Sequence, residues 1–112
     1  MDNYSELFKL LSDDTRLRII HLLHYQDLCV CELVELLDES QPKISKHIAK
    51  IRSNKLVKTE RNEQFIYYSL DKANYINVLD PILRELKGKE PYQSDYHNLQ
   101  SKSSFVCTGG NK

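Results

Sequence analysis

Residues 40–53 read SQPKISKHIAKIRS. Ile44, Ile48 and Ile51 recur at helical spacing on one side and the lysines fall on the other, which predicts an amphipathic helix with a basic outer face. Ser40 and Gln41 are placed to cap its start, and Pro42 stands at an early helical position, where a missing N–H donor costs nothing. Upstream, CELVELL (31–37) aligns Leu33, Leu36 and Leu37 on one side of a shorter helix, and DESQ (38–41) breaks the pattern between the two. Two helices joined by a turn of about four residues, the second basic on its exposed face, form a helix-turn-helix arrangement.

The flanking segments extend this unit. Tyr4, Leu7, Phe8, Leu10 and Leu11 suggest a first short helix closing near Ser12. Ser12 is expected to cap a second helix, with Asp13 and Asp14 at its positive end. That helix runs through TRLRIIHLLHY, with Leu17, Ile19, Ile20 and Leu23 inward. After the basic helix, LVKTE and FIYYSL are β-branched and aromatic with polar RNEQ between them, which predicts a β-hairpin, or wing. A last helix is expected over residues 72–87 after Asp71 as cap, with Ile76, Leu79, Ile82, Leu83 and Leu86 as its apolar stripe and a kink at Pro81. The fold expected is mainly α with one hairpin: a winged helix-turn-helix domain over residues 1–87, followed by a flexible tail over 88–112.

Composition narrows the function. The 112 residues carry no net charge, yet residues 1–40 hold nine Asp or Glu against three Lys or Arg. Residues 41–61 hold seven Lys or Arg against Glu60 alone, a local footprint for phosphate. There is no Gly-rich phosphate loop, nucleophile elbow or paired catalytic carboxylates, which argues against an enzyme. The polar start Met1-Asp2-Asn3 and the lack of a long apolar run predict a cytoplasmic protein without a membrane partner. Three cysteines are an odd number, and in a reducing compartment they point to metal or thiol redox chemistry rather than to a disulfide framework.

Two of those cysteines stand one residue apart in DLCVCEL (27–33). On a regular helix residues i and i+2 point about 200° apart, so both sulfurs reach one ligand only if the helix is disturbed. If Asp27 or Leu28 precedes the helix, Cys29 and Cys31 fall in its first turn. There the dipole is expected to lower the thiol pKa and favour the thiolate that binds soft ions.

LSDDTRLRIIHLL, the CVC after it, SQPKISKHIAKIRSNKLV and the hairpin ending YYSL together resemble the ArsR/SmtB family of winged-helix repressors, specifically its arsenic-sensing branch. The resemblance covers about residues 4–87. It implies a homodimer held by the first and last helices that binds double-stranded operator DNA until an inducer releases it. Cys29 and Cys31 would be the ligands for As(III) or Sb(III), with no permanent cofactor. Where such sensors often carry a third cysteine this chain has Val34, which leaves Cys107 of the tail as the candidate third sulfur. The family's zinc site on the last helix finds Asp71, Asp80 and Glu85 here without a histidine. His24 keeps Zn(II) or Cd(II) open, and a redox or persulfide sensor on the same scaffold is the other alternative. For DNA, Gln41, Lys43, Ser45, Lys46 and His47 lie where a recognition helix meets the major groove, with Ser40 near the backbone. Lys50 and Lys58 are expected on phosphates, and Arg61 and Gln64 at the hairpin tip in a neighbouring groove. The family often has glycine where this hairpin has Glu63, so Asn62 is the residue expected to take a positive φ.

Overall fold

The structure, a computed structural model, describes residues 4–101, with residues 72 and 74–76 as backbone only. The elements run α1 (Tyr4–Leu11), α2 (Asp14–Tyr25), β1 (Leu28–Cys29), α3 (Val30–Leu37), α4 (Gln41–Ser53), β2 (Val57–Asn62), β3 (Phe65–Leu70), α5 (Lys72–Leu86) and α6 (Tyr92–Ser101). The strands form one antiparallel sheet in the order β1-β3-β2. This is the expected winged helix-turn-helix, with one strand and one helix added.

α2 is the central element. Ile19, Ile20, His21, Leu22 and Leu23 are all buried, so it is covered on nearly every side rather than along one stripe. α3 and α4 pack on it through Leu33, Leu36, Leu37, Ile44, Ile48 and Ile51 in one continuous core. The three-residue turn between them closes on Asp38, whose φ of 54° places it in the left-handed region that aspartate tolerates. Ser40 caps α4, its Oγ accepting from the Lys43 N–H at 3.4 Å. The caps of the first two helices differ from expectation. Ser12 closes α1, its Oγ donating to the Lys9 carbonyl at 2.7 Å. Asp13 caps α2 instead, accepting from the Arg16 N–H at 3.0 Å.

In the wing, β2 pairs with β3 in register from Val57↔Leu70 to Asn62↔Phe65, leaving Glu63 and Gln64 as the turn. Glu63, not Asn62, takes the positive φ, at 60°. The third strand was not foreseen. Leu28 and Cys29 pair with Tyr68 and Tyr67, and a two-residue strand is too short to leave a periodic trace. In α5, Leu79 and Leu83 are buried as expected and Ile82 is 37% exposed; the Ile76 side chain lies outside the described residues.

The expected flexible tail is corrected for residues 92–101, which form α6 on the flank of α2. Asp95, 2% exposed, accepts a bidentate pair from Arg18 at 2.9 and 2.8 Å, and Tyr92 and Leu99 are buried beside it. Lys87 stacks over the Tyr96 ring at 4.2 Å from its centroid. The segment is too polar for a hydrophobic pattern to announce it; a buried ion pair and ring contacts dock it. A bidentate Arg–carboxylate pair is also the geometry in which a desolvated charge pair is best satisfied. The rest of the tail, with Cys107, lies outside the described residues.

His21 lies between these helices, fully buried, its ring edge-on to Tyr25 and Tyr92 at 5.2 and 5.5 Å. Neither ring nitrogen has a hydrogen-bond partner among the described residues. Burial pushes its pKa down to about 4, against a weaker opposing pull from Asp95. The folded chain therefore keeps His21 neutral while the unfolded chain protonates it below about pH 6.5. Stability should be fully present above that pH and fall as pH drops toward 4, by about 3 kcal/mol from this residue alone. Urea denaturation across pH 7.5 to about 4 checks this: the slope should flatten in His21→Phe, which keeps the ring contacts.

Candidate functional site

The cysteine pair sits at a junction. Cys29 is the last residue of β1 and also the N-cap of α3, with an extended backbone at φ −95° and ψ 170°. Because it stands outside the helix, the 200° argument does not apply to it. Its Sγ lies 3.4 Å from that of Cys31 with the first turn of α3 intact. No unwinding is needed to bring the sulfurs together, which corrects the expectation of a helix that must open.

Glu32 holds the arrangement. Its Oε1 accepts from the Cys29 N–H at 3.0 Å, while the Cys29 side chain faces the Glu32 N–H: a reciprocal capping box with sulfur in place of a hydroxyl. The thiol pKa also departs from expectation. The Cys29 thiol is 2% exposed, and burial pushes its pKa up; the Glu32 backbone N–H pulls it down and the Glu32 charge raises it again. Desolvation outweighs the helix end. Glu32 was overlooked in the sequence, although Cys-x-x-Glu before an apolar run has the spacing of a capping box.

The sulfurs border a cleft of about 170 Å³ that reaches both α4 and the wing. Val30 of α3, Gln41 at the start of α4, and Gln64, Phe65, Ile66 and Tyr68 of the wing complete its lining. Among the described residues, no group of three or more His, Cys, Asp or Glu side chains is arranged to hold a metal ion. His24, kept open for zinc or cadmium, meets Asp80 instead: its Nε2 is 3.2 Å from an Asp80 oxygen, and Arg84 Nε donates to the other at 2.7 Å. The sequence had placed no histidine near the α5 carboxylates; α2 supplies one across the helix interface.

The expected DNA residues divide between α4 and the wing. Gln41, Lys43, Lys46 and Lys50 are exposed along α4, with Ser45 partly covered. Lys43 is within 3.1 Å of Glu39 in an i,i+4 pair. Lys58, Arg61 and Gln64 are exposed on the wing. His47 departs from the set. Its side chain is 14% exposed, with Nε2 3.9 Å from Asp13 and Nδ1 3.5 Å from an Arg16 nitrogen, so it fastens α4 to α2. Burial is also the largest influence on its pKa and lowers it.

A family described as bacterial regulatory protein, arsR family, matches residues 13–59, the stretch that holds the cysteine pair, α4 and the start of the wing. Over 96% of its length the chain is 46% identical to the arsenical resistance operon repressor of Escherichia coli, covering 91% of that protein. The chain belongs to the ArsR family. Family members are regulatory proteins, not enzymes. The arsenic resistance transcriptional regulator ArsR2 of Pseudomonas putida is 48% identical over 59% of this chain, a match that spans 58% of that protein's length. The cadmium resistance regulatory protein CadC of Listeria innocua is 31% identical over 68% of this chain and 65% of its own. Among solved structures, the transcriptional repressor BigR of Xylella fastidiosa superposes with a TM-score of 0.65 at 27% identity, over 76% of this chain and 83% of that one. Among the described residues of this ArsR-family chain, no helix is long and apolar enough to cross a membrane.

The capping box predicts how two Glu32 variants differ. Glu32→Gln retains an acceptor for the Cys29 N–H and should unfold within about 0.5 kcal/mol of the parent, whereas Glu32→Ala should lose roughly 1 kcal/mol. Chemical denaturation at fixed pH measures both. Equal losses would show that the charge, rather than the hydrogen bond, holds the cap.

Proposed function

We propose that this protein is a homodimeric transcriptional repressor that binds operator DNA through α4 and the wing and leaves it when As(III) or Sb(III) bonds the thiolates of Cys29 and Cys31, the latter freed by a thiol reductant from the disulfide it holds in this structure. The observation that carries this reading is the 3.4 Å sulfur pair in a cleft shared with Gln41 of α4 and Gln64 of the wing. An ion in that cleft touches the supports of both DNA-reading elements at once.

The coupling follows from Cys29. An ion bonded to its sulfur competes with its capping role at α3, and any shift of its backbone is felt at Tyr67 through the β1–β3 pairing. A ligand that changes both elements differs in affinity between the bound and released conformations, which is the requirement for a switch. Cd(II) is the second reading, favoured by the similarity to CadC.

In this reading Gln41, Lys43, Ser45 and Lys46 face base edges, Ser40 lies at the backbone, Lys50 and Lys58 meet phosphates, and Arg61 and Gln64 enter the adjoining groove. His47 positions α4 instead. Tyr4 and Phe8 of α1 and Ile82 of α5, 44%, 54% and 37% exposed, support the dimer through the first helix and α5.

Two experiments test the proposal. Cys29→Ser and Cys31→Ser should bind promoter DNA as the parent does, yet stay bound at arsenite concentrations that release it, as read by fluorescence anisotropy. Normal release by both variants removes the site from this segment; release by Cd(II) or by peroxide in place of arsenite selects the cadmium or the redox reading. X-ray absorption of the As(III) complex then counts sulfurs: three falling to two in Cys107→Ser assign the third position to Cys107, and two in both exclude it. Separately, Lys43→Ala or Lys46→Ala should cost roughly 1 to 3 kcal/mol at one base position if the contact is to a base, or weaken all sequences alike if to a phosphate.

A further inference from the structure

A second cleft, of about 160 Å³, opens where α1, α2 and the C-terminal half of α4 meet, lined by Glu6, Lys9, Leu10, Arg16, Lys50 and Asn54. Three cations from three helices converge there, although they are far apart in sequence and only Lys50 belongs to the basic segment. Arg16 is pre-set. Its Nε donates to the Leu10 carbonyl at 2.9 Å, one terminal nitrogen reaches the Lys9 carbonyl at 3.5 Å, and the other lies 3.5 Å from His47 Nδ1. Among the described residues these contacts fall short of the five donors a guanidinium carries. Lys9 is 73% exposed at the side chain and spans 3.5 Å to Glu6, an exposed pair of little energetic weight that an incoming anion can replace.

The position along α4 identifies the anion. Thirteen residues of helix span about 20 Å, more than the roughly 12 Å width of a major groove, so with the N-terminal residues of α4 on base edges its C-terminal end emerges at a phosphate backbone. The N-terminal end, at Gln41, shares its cleft with the wing, and the wing carries Lys58 and Arg61. The C-terminal end, at Lys50 and Asn54, shares its cleft with α1.

We propose that Lys9, Arg16 and Lys50 form a phosphate clamp for the DNA backbone at the C-terminal end of α4. The inference rests on the reading of this chain as an operator-binding repressor. The clamp is independent of sequence: it sets the register of α4 in the groove and carries no base preference. It also lies away from the cysteine cleft, so its loss weakens binding without touching the response to inducer.

The test uses the full chain and a duplex from its own promoter, with affinity followed from 0.05 to about 0.5 M salt. Each phosphate contact contributes about 0.9 to the slope of log affinity against log salt, so Lys9→Ala should lower that slope by about 0.9. The same slope means about eightfold weaker binding at 0.1 M, converging on the parent near 1 M. The factor should be equal on promoter and on unrelated DNA, with arsenite release unchanged. Glu6→Gln removes the competing carboxylate and should tighten binding at low salt. A Lys9→Ala protein with parental affinity and slope overturns the clamp while leaving the repressor reading intact. Failure of the parent itself to bind DNA in a salt-dependent way overturns both. Circular dichroism of the two variants, altered only at exposed side chains, excludes misfolding as the cause.

Discussion

The hydrogen bond from the Cys29 N–H to Glu32 Oε1, 3.0 Å long, fixes the point where three parts of the molecule join. On one side of Cys29 the chain is a strand paired to the wing; on the other it is the first turn of α3, which supports α4. Between them the Cys29 sulfur stands against that of Cys31. Had Cys29 been one residue further into the helix, the two sulfurs would have faced apart and the strand would have lost its last pair. Its place as N-cap lets it serve the helix and the strand together and leaves its sulfur beside that of Cys31 for the proposed ligand. The cost is visible in its pKa, which burial raises where a helix end alone would have lowered it.

In the proposed switch, the packing around α2 would let such a joint transmit movement. A helix covered on nearly all sides has little room to yield, because close-packed side chains move between discrete arrangements rather than deform gradually. His47 against Asp13 and Arg16 fastens α4 to one end of α2, and Arg18 with Asp95 fastens α6 along it. In the proposed switch, a displacement at β1 and the start of α3 would therefore be directed to the wing and to the start of α4. These are the elements bordering the cysteine cleft.

Charge is distributed by the same logic. The basic residues of α4 and the wing were contiguous in the chain, but Lys9 and Arg16 come from an acidic N-terminal region and reach the recognition helix only through folding. In the proposed complex Lys9 and Arg16 would add to the positive charge that α4 presents to DNA.

Much of this was legible in the chain. Ile44, Ile48 and Ile51 at helical spacing, Ser40 and Pro42 at the helix start, and the aromatic FIYYSL segment defined the helix-turn-helix and wing, because amphipathic period and capping chemistry are local properties. The cysteine pair stood out in the chain as a candidate ligand site from the spacing of its thiols and its place before an apolar run. Its geometry was not, since whether Cys29 is the first helical residue or the N-cap depends on a two-residue strand formed with Tyr67 and Tyr68, about 40 positions later in the chain. The same limit hid α6, docked by Asp95 on Arg18, and placed His24 beside Asp80 where the chain showed no histidine near the α5 carboxylates. It turned His47 from the groove toward α2 as well. Local periodicity specifies which face of an element is apolar; which polar groups meet across elements is chosen only when desolvation makes each buried charge and donor find a partner.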